Sequence, residues 1–356
     1  MGKGKGFYTM QQKKDDSIRL GIIGSSWISC EMIRGAKSTG FFTLEAVYSR
    51  TKERAESFAR EQGALHTFTS LQEMAASPLL DAVYIASPNV CHVEQCRLFL
   101  QNGKHVLCEK PLAARGQEVM ELQKLAREKG VIYMEAIMML HLPWREKLRR
   151  AVRQIGPISL AKFDFCQYSS KYDGFLQGRH QNIFDPAMET GALMDLGVYT
   201  VYPALWLFGE PMGVTAAANF LPGGADGSGT ATLLYPDKLV VLTYSKTGAS
   251  HTGGEIVGEK GTIHLPSIST LLGMALYRRG KEPEFLSGQE EKYRLMGYEA
   301  RQFAQWINEG PDEAYEDASR LAVQVALLLH QIRRMAGIHF AGDETEQLEK
   351  PMQPSK

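Results

Sequence analysis

Residues 103–112 of this 356-residue chain read GKHVLCEKPL, and they decide the fold. The apolar centre, residues 106–108, predicts a strand that is buried on both faces, as is typical of a parallel sheet. Because open α/β sheets bind ligands beyond the carboxyl ends of their strands, Glu109 and Lys110 are expected at a ligand site. The alternative is that this charged pair lies on the surface and opens the helix that begins near Ala114.

The amino-terminal part of the chain has the strand, turn and helix order of a phosphate-binding crossover. Residues 18–24, IRLGIIG, predict the first strand, and SSWIS leads into a helix that ends near residue 37. Only Gly24 remains of the three glycines in the usual fingerprint, and Ser26 stands where a glycine normally lets the backbone approach the pyrophosphate. The Ser26 hydroxyl could instead donate to a phosphate oxygen. We therefore predict cofactor contacts from Gly24, Ser26, Trp27 and Ile28.

The second strand, predicted at residues 44–50, indicates which dinucleotide is bound. An acidic residue normally lies about twenty residues after the glycine and holds the ribose hydroxyls of NAD. Ser49 and Arg50 occupy that position here. Since a guanidinium forms charge-assisted hydrogen bonds with a 2′-phosphate, we predict NADP as the preferred cofactor, with NAD also able to bind. Alternatively, Arg50 is a solvated side chain at the start of the next helix.

Composition and charge exclude several classes of protein. Lysine plus arginine equals aspartate plus glutamate at 40 each, so without a basic stripe no nucleic-acid partner is expected. The longest apolar runs, such as 321–329, are shorter than the ~20 residues that span a bilayer, so no membrane partner is expected. Residues 1–17 lack the apolar centre of a signal peptide and are interpreted as a disordered leader. The five cysteines, odd in number and without metal-ligand spacing, indicate reduced core thiols of a cytoplasmic protein, and no metal site is predicted.

Alternating strands and helices predict a doubly wound Rossmann domain over residues 18–140. In it, a strand at 81–86 is followed by Ser87, Pro88, Asn89 and His92. We expect these four residues, together with Glu109 and Lys110, to contact the cofactor at the same ligand-facing edge. After a predicted basic helix at 144–152, strands follow one another without intervening helices, so residues 141–341 predict an α+β domain with a large, mostly antiparallel sheet. Its predicted strands are 157–168, 213–220, 229–235, 238–246, 255–257, 261–265 and 271–277, closed by helices 298–308 and 318–336, before a flexible tail at 342–356.

Two motifs resemble those of the Gfo/Idh/MocA family of NAD(P)-dependent oxidoreductases. The first combines Pro88, Asn89 and His92 with GKHV at 103–106 and EKP at 109–111, and the second is GALMDLGVY at 191–199. The resemblance covers both predicted domains. It implies that Lys110 and Tyr199 flank the transferred hydride, that substrate lies between the two sheets, and that the peptide bond before Pro111 is often cis in relatives. A tyrosine at 199, together with MEAI at 134–137, is more similar to the dihydrodiol dehydrogenase and glucose–fructose oxidoreductase branches than to the inositol dehydrogenases.

Lys110, Asp195 and Tyr199 are the candidate catalytic residues. Oxidation of a secondary alcohol needs a general base for the hydroxyl proton and a cation that stabilises the developing alkoxide. The Lys110 ammonium is expected to lower the pKa of Tyr199 toward the working pH. Asp195 lies four residues before Tyr199, on the same face of a helix, and can orient the tyrosine or bind a substrate hydroxyl. Alternatively, Tyr199 is a core aromatic of an amphipathic helix and Asp195 is its cap.

Two further segments are predicted to contact substrate. Relatives often carry an aromatic residue and an arginine where residues 138–141 of this chain read MMLH, so Met138 and His141 are candidates. Flexible apolar side chains at this position would favour a less polar or bulkier substrate, although they could equally fill the core. On the loop before the second motif, Arg179, His180 and Asn182 are candidates for binding substrate hydroxyls.

The sequence thus predicts an NADP-preferring dehydrogenase or reductase of a sugar, cyclic polyol or diol. Two alternatives remain open: a catalytically silent nucleotide-binding sensor of the same fold, which Ser26 favours, and a reductase of a conjugated or imine substrate, which has less need of Tyr199. The second-domain sheet has too few helices to cover both of its faces. An uncovered apolar face favours self-association, so we also predict a homodimer packed through this sheet.

Overall fold

The computed structural model describes residues 17–343, and their first sheet has six parallel strands. These strands are β1 Ile18–Ile23, β2 Phe42–Tyr48, β3 His66–Phe68, β4 Ala82–Ile85, β5 His105–Glu109 and β6 Tyr133–Ala136. Their spatial order is β3-β2-β1-β4-β5-β6. The strand order reverses between β1 and β4, which is where doubly wound sheets bind ligands, and the predicted Rossmann fold is confirmed.

Five helices connect these strands, and side chains on both faces of the sheet are buried. The helices are α1 Trp27–Thr39, α2 Lys52–Gln62, α3 Leu71–Ala76, α4 His92–Gln101 and α5 Gly116–Lys129. Because successive side chains of a strand point to opposite faces, Ile22 packs into one hydrophobic core and Ile23 into the other. Two of the helices begin at residues that commonly cap helices. Thr51 accepts a hydrogen bond from a first-turn N–H of α2, and Ser70 accepts one from a first-turn N–H of α3.

The second sheet has eight strands and is mostly antiparallel, as predicted. Its strands are β7 Ile158–Cys166, β8 Gly213–Phe220, β9 Asp226–Leu234, β10 Leu239–Ser245, β11 Gly254–Gly258, β12 Gly261–Leu265, β13 Ala275–Tyr277 and β14 Glu284–Phe285. They are arranged in the order β14-β13-β12-β11-β7-β10-β9-β8, and β7 and β10 pair in parallel. The carboxyl ends of β7 and β10 therefore reach the same edge of the sheet, where the Gln167 N–H donates to the Ser245 oxygen.

The helices of the second half do not all stay with the second sheet. They are α6 Arg145–Gln154, α7 Tyr172–Leu176, α8 Val198–Phe208, α9 Lys292–Glu309 and α10 Glu313–Met335. The prediction that the last two close the second domain is wrong in part, because both also pack on the first. A Cβ on Gly35 of α1 would lie 2.7 Å from the Tyr293 oxygen of α9, and Gln123 of α5 donates to the Ser319 oxygen of α10 at 2.7 Å.

Other sequence-based expectations need correction at particular elements. The short strands β3 and β14 were not predicted, since each has at most three residues and no clear alternation. The predicted strand 271–277 begins only at Ala275, because Leu271 has a left-handed backbone with φ of 53°. All five cysteines are free, but only Cys96 and Cys108 are buried, whereas Cys30, Cys91 and Cys166 are partly exposed.

One helical stretch, Pro186–Phe208, is long and apolar enough to cross a membrane by length and composition. Its most apolar window is 72% buried within the fold, which is the behaviour of a core segment. The expected leader at 1–17 lies outside the described residues except for Ser17, and the expected tail lies outside them beyond residue 343.

Candidate active site

A cleft of about 1060 Å³ lies between the two sheets. Ligand pockets commonly span about 300–1,000 Å³, so this cleft is large enough for a dinucleotide with a small substrate. The loops after β1, β4 and β5 form one wall, which includes Trp27, Ile28, Ser87, Pro88, Asn89, His92, Glu109 and Lys110. The loops after β7, α7 and β10 and the segment that leads into α8 form the other wall, which includes Gln167, Ser169, His180, Asp195, Tyr199 and Lys246.

Lys110 reaches across the cleft to Asp195. Its Nζ lies 2.9 Å from Asp195 Oδ1 and 3.0 Å from the Asp195 main-chain oxygen, and the peptide bond that joins it to Pro111 is cis. Burial opposes the charge, but Asp195, Tyr199 and Glu109 together raise the pKa of Lys110 above its ordinary value. Two motifs that are distant in the sequence therefore meet in the folded chain, and Lys110 is an ammonium at neutral pH.

Tyr199 stands beside this ammonium. The Lys110 Nζ lies 5.0 Å from the centroid of the tyrosine ring, and Phe165 packs edge-on against the same ring at 5.3 Å. Burial raises the pKa of Tyr199 above its ordinary value, and Lys110 offsets this only in part. The expectation that Lys110 brings this pKa down toward the working pH is wrong, because burial and the nearby Glu109 and Asp195 outweigh one ammonium. Tyr199 is a neutral phenol that can donate a hydrogen bond.

Lys246 is a residue of this cluster that the sequence analysis missed. It follows β10, is 3% exposed, and donates from Nζ to Asp195 Oδ2, the oxygen that Lys110 leaves free. Although burial opposes ionisation, the two lysines hold the pKa of Asp195 well below its ordinary range. The available signal was a lysine directly after an apolar strand, which is also the position of Lys110 after β5.

The segment that carries Asp195 and Tyr199 begins with a π-helical turn, Leu193–Gly197, which continues into α8. Such turns are rare and occur frequently at functional sites. Its start is fixed by Gly191, where a Cβ would lie 1.8 Å from Asp226 Oδ1, and by Asp226, which accepts from the Leu193 N–H at 2.7 Å. Asp195 and Tyr199 both face Lys110, so the predicted common face exists, although on a wider turn than an α-helix.

The predicted phosphate-binding edge lies at the start of α1. Gly24 has a φ of 104°, and a Cβ there would lie 2.4 Å from the Ala86 oxygen, so only glycine fits this turn. Ser26 is the N-cap of α1, but its side chain makes no capping hydrogen bond. Ser26 is exposed, and the first-turn N–H groups lack a side-chain cap at a helix end that favours anions. Trp27 lies beside the cleft, and the Nζ of Lys292 from α9 is 6.0 Å from its ring centroid.

Ser49 and Arg50 lie next to this edge, because the preceding Tyr48 of β2 is paired with Ile23 of β1. Arg50 is exposed. A second guanidinium, Arg54 in the first turn of α2, donates from Nε to Ser25 Oγ at 2.9 Å. Arg54 was not predicted, and its signal was the four-residue spacing from Arg50 across the start of a helix.

The loop after β4 serves mainly to hold other segments in place. Ser87 donates to Gln95 Oε1 at 2.7 Å, and Asn89 donates to the Glu189 oxygen at 2.9 Å, across to the second wall. Both ring nitrogens of His92 lie 2.9 Å from main-chain oxygens, those of Pro111 and Ser87, and burial lowers the pKa of this histidine. His92 lines the cleft, and its two nitrogens join the loops that follow β4 and β5; the predicted contact of His92 with cofactor stays a prediction.

Buried carboxyl groups lie beneath Lys110. Glu109 accepts a hydrogen bond from the Tyr84 hydroxyl at 2.5 Å, and burial raises its pKa. Behind it, Glu135 accepts from the Tyr202 hydroxyl and from the Leu112 N–H, and burial raises the pKa of Glu135 to about 7. Burial also raises the pKa of Glu299 on α9 well above its ordinary value. The floor of the site is thus acidic in residue type but carries less negative charge than three free carboxylates would.

The predicted substrate residues divide into two groups. Met138 is 4% exposed in the core, and His141 packs edge-on against Trp306 at 5.8 Å, so neither lies at the cleft. They fill the space beneath α9, and the less polar substrate that they were taken to favour loses its support. Arg179 is exposed and donates to Gln177, away from the cleft, whereas His180 and Asn182 line it. Within residues 17–343, no group of three or more histidine, cysteine or acidic side chains is placed to hold a metal ion.

Comparison with known proteins agrees with this geometry in both halves of the chain. Residues 18–137 match the oxidoreductase family with an NAD-binding Rossmann fold, GFO_IDH_MocA, and residues 146–264 match the GFO/IDH/MocA C-terminal domain. The chain is 41% identical over 327 residues to scyllo-inositol 2-dehydrogenase (NADP(+)) IolU of Bacillus subtilis, a match that covers 92% of this chain and 99% of that protein.

More distant relatives share the same architecture. Trans-1,2-dihydrobenzene-1,2-diol dehydrogenase of Mus musculus is 26% identical over 339 residues, covering 92% of this chain and 99% of that protein. The structure of KijD10, a 3-ketoreductase from Actinomadura kijaniata in complex with NADP and TDP-benzene, matches with a TM-score of 0.79 and 24% identity, covering 90% of this chain and 98% of that one. The chain belongs to the GFO/IDH/MocA family of oxidoreductases, and the predicted class, an NAD(P)-dependent dehydrogenase or reductase, is confirmed.

Proposed function

We propose that this family member is an NADP-preferring oxidoreductase that interconverts a ketone and a secondary alcohol on a cyclic polyol or sugar. The observation that carries the proposal is the pairing of two proton-bearing groups, the Lys110 ammonium and the Tyr199 phenol, in one cleft. Proton donors and a fixed positive charge are what an oxygen needs when the carbon beside it receives a hydride.

The residues present fit NADP. The start of α1 would hold the pyrophosphate, since a Cβ on Gly24 would close the turn and the Ser26 side chain is left without a capping bond. Arg50 and Arg54 would hold the 2′-phosphate, because both lie beside the phosphate loop and Ser49 replaces the usual carboxylate. IolU is named as an NADP(+) enzyme, and KijD10 was solved with NADP. NAD can bind the same edge without the arginine contacts.

The substrate class follows from the second wall of the cleft. Its side chains carry hydroxyl, amide and imidazole groups that both donate and accept hydrogen bonds, as a ring with several hydroxyls requires. These residues are Gln167, Ser169, Ser170, His180, Gln181 and Asn182. A cyclic polyol is also the substrate in the name of the relative that is 41% identical.

The chemistry assigned to the chain is proton donation and charge stabilisation. When bound, the nicotinamide supplies or accepts the hydride. In the reductive direction the Tyr199 hydroxyl donates a hydrogen bond and then its proton to the substrate oxygen, while the Lys110 ammonium stabilises the negative charge that develops there. Both groups hold their protons at neutral pH, so the proton that reduction of the ketone requires is already in place.

The proposed activity is tested by following NADPH absorbance with keto derivatives of cyclic polyols and of sugars, with NADH in parallel. We expect faster turnover with NADPH than with NADH, and faster turnover with a keto derivative of a cyclic polyol than with that of a sugar. The matching alcohol should reduce NADP. Turnover confined to imine or conjugated substrates would contradict the proposal. Tight NADPH binding without turnover across the panel would favour the silent sensor instead.

The homodimer remains part of the proposal, and the outer face of the second sheet supports it. Leu160, Leu239 and Leu234 lie side by side across β7, β10 and β9, and are 40%, 46% and 37% exposed. Such a row of leucines is suited to packing against a second copy. Light scattering is expected to give a dimer that Leu239→Glu converts to a monomer, and a monomeric wild-type chain at micromolar concentration would contradict it. A cytoplasmic location is likewise proposed.

A further inference from the structure

We propose that Lys246 is a positioning residue of this active site, which holds the second oxygen of Asp195 so that Asp195 orients Lys110 without neutralising the cluster. The inference rests on the proposed function, because it assigns a role within the same site. It concerns a residue outside both sequence motifs.

The placement of Lys246 is fixed on all sides. Its main-chain N–H donates to the Gly227 oxygen at 2.8 Å, and its main-chain oxygen accepts from the Ser169 N–H at 2.9 Å. The side chain is 4% exposed, and its Nζ lies 5.9 Å from the ring centroid of Phe184. A buried ammonium is costly unless it is paired, so the carboxylate that it reaches matters to the fold and to the site.

The two lysines bind different oxygens of Asp195. Lys110 takes Oδ1 and the main-chain oxygen, and Lys246 takes Oδ2. With both oxygens bound, the carboxylate has a fixed orientation and Lys110 is held where its Nζ faces the Tyr199 ring. Without Lys246, Asp195 is free to turn its second oxygen toward Lys110 and to draw the ammonium away from the tyrosine.

Lys246 also changes the net charge of the cleft. One aspartate and one lysine form a neutral pair, whereas one aspartate with two lysines keeps a net charge of about +1 in the cleft, where charge is poorly screened. That charge is available to the substrate oxygen as it becomes negative. Lys246 contributes it without touching the reacting atoms, which distinguishes it from Lys110.

Steady-state kinetics of Lys246→Met, Lys246→Arg, Asp195→Asn and the Met/Asn double variant test the role. We expect Lys246→Met to lower kcat about 10–100-fold, while KM and the NADPH dissociation constant change less than about threefold. Lys246→Arg should recover most of kcat, and Lys246→Met should add no further loss in the Asp195→Asn background. Lys238→Met is the matched control, since Lys238 precedes the opposite end of β10 and pairs with Asp237.

A wild-type kcat in Lys246→Met, or losses that multiply in the double variant, would overturn the inference. So would an equal loss of thermal stability and NADPH affinity that arginine does not repair, because that pattern marks a purely structural residue. Should Lys246→Met fail to fold, Lys246→Gln, which keeps a hydrogen-bond donor and loses the charge, takes its place.

A substrate-free measurement separates this inference from the proposed activity. In protein labelled with ¹³C at the lysine ε-carbon, the Lys110 signal is identified by its loss in Lys110→Arg. We expect Lys246→Met to shift that signal and Lys238→Met to leave it in place. An unmoved signal overturns the positioning role even if the enzyme is active, whereas a shifted signal in a protein without turnover upholds the positioning role and overturns the proposed function.

Discussion

The two walls of the cleft are built in different ways. The nucleotide wall consists of short loops at strand ends, with an exposed helix N-terminus at Ser26 and exposed Arg50. The opposite wall carries Asp195 and Lys246, and Asp195 bridges this buried Lys246 to Lys110, which reaches across from the loop after β5. The nucleotide wall presents exposed polar groups that can bind a ligand, whereas the charged groups of the cluster form ion pairs with one another.

Because of this difference, substitutions on the nucleotide wall should change cofactor affinity, and substitutions in the cluster should change catalysis. A change on the nucleotide wall removes a contact with a ligand and leaves the fold largely as it was. A change in the buried cluster leaves a charge without its partner, which costs several times more. The following predictions, from the largest expected effect to the smallest, test whether the two walls behave in this way.

The largest effect is expected from the charged cluster, where Lys110 meets the opposite wall. Lys110→Met and Tyr199→Phe should each lower turnover by about 10²–10⁴-fold, as for a positioned acid–base group, while NADPH affinity changes little. The double variant should be scarcely worse than either single variant, because the two act on the same oxygen. Near-normal kcat in Tyr199→Phe would show that another group, with His180 or a water next in line, handles the proton.

The second prediction concerns the acidic floor under this cluster. Burial raises the pKa of Glu135 to about 7 from an ordinary 4.5, so between these pH values the folded chain holds a proton that the unfolded chain has lost. The stability contributed by the neutral carboxyl is complete below about pH 4.5 and is lost as the pH rises toward 7, by about 3 kcal/mol. Glu135→Gln should flatten that fall when urea unfolding is measured at pH 5 and pH 8. An unchanged difference between the two pH values would place the titration elsewhere.

On the nucleotide wall, Arg50→Ala should weaken NADP by about 1.5–3 kcal/mol, the size of a charged hydrogen bond, and leave NAD nearly unchanged. Arg54→Ala should show the same selectivity if both guanidinium groups reach the 2′-phosphate. Fluorescence titration with NADPH and NADH measures both effects. Equal losses for the two nucleotides would contradict the assignment of these arginines.

The smallest effect is expected at the N-cap of α1. Ser26→Gly should weaken NADPH and NADH alike by about 1 kcal/mol, because a hydroxyl that donates to the pyrophosphate is lost. Ser29→Gly, three residues further and buried, is the matched control for glycine in the same segment. Tighter binding of both nucleotides by Ser26→Gly would show that the Ser26 side chain obstructs the backbone approach.

The nucleotide wall could be predicted from the sequence because its signals are local. Gly24, Ser49 and Lys110 each lie at or near the carboxyl end of a predicted strand, and parallel strands bring their carboxyl ends to one edge. The candidate catalytic motif around Asp195 and Tyr199 was found through the family resemblance. Its meeting with Lys110 needed the fold, since 85 residues separate Lys110 from Asp195.

The features of the site that the sequence did not predict depend on packing between distant segments. Lys246 looks like any charged residue after a strand until β10 is placed beside the π-helical turn, and Lys292 requires α9 to return to the first domain. The direction of the Tyr199 pKa shift was wrong for the same reason, because burial cannot be read from neighbouring residue types alone. Met138 and His141 were misplaced because a flexible apolar run suits a pocket and a core equally.

The return of the last two helices to the first domain limits how the protein can be divided. The α1–α9 contact leaves no room for a side chain at Gly35, and α5 is joined to α10 through Gln123 and Ser319. A fragment that stops at residue 140 would keep every strand of the first sheet yet expose the faces of α1 and α5 that these helices cover. The nucleotide-binding half is therefore continuous in sequence, but it needs α9 and α10 to bury the faces of α1 and α5. An exchange of this half between relatives should include these two helices.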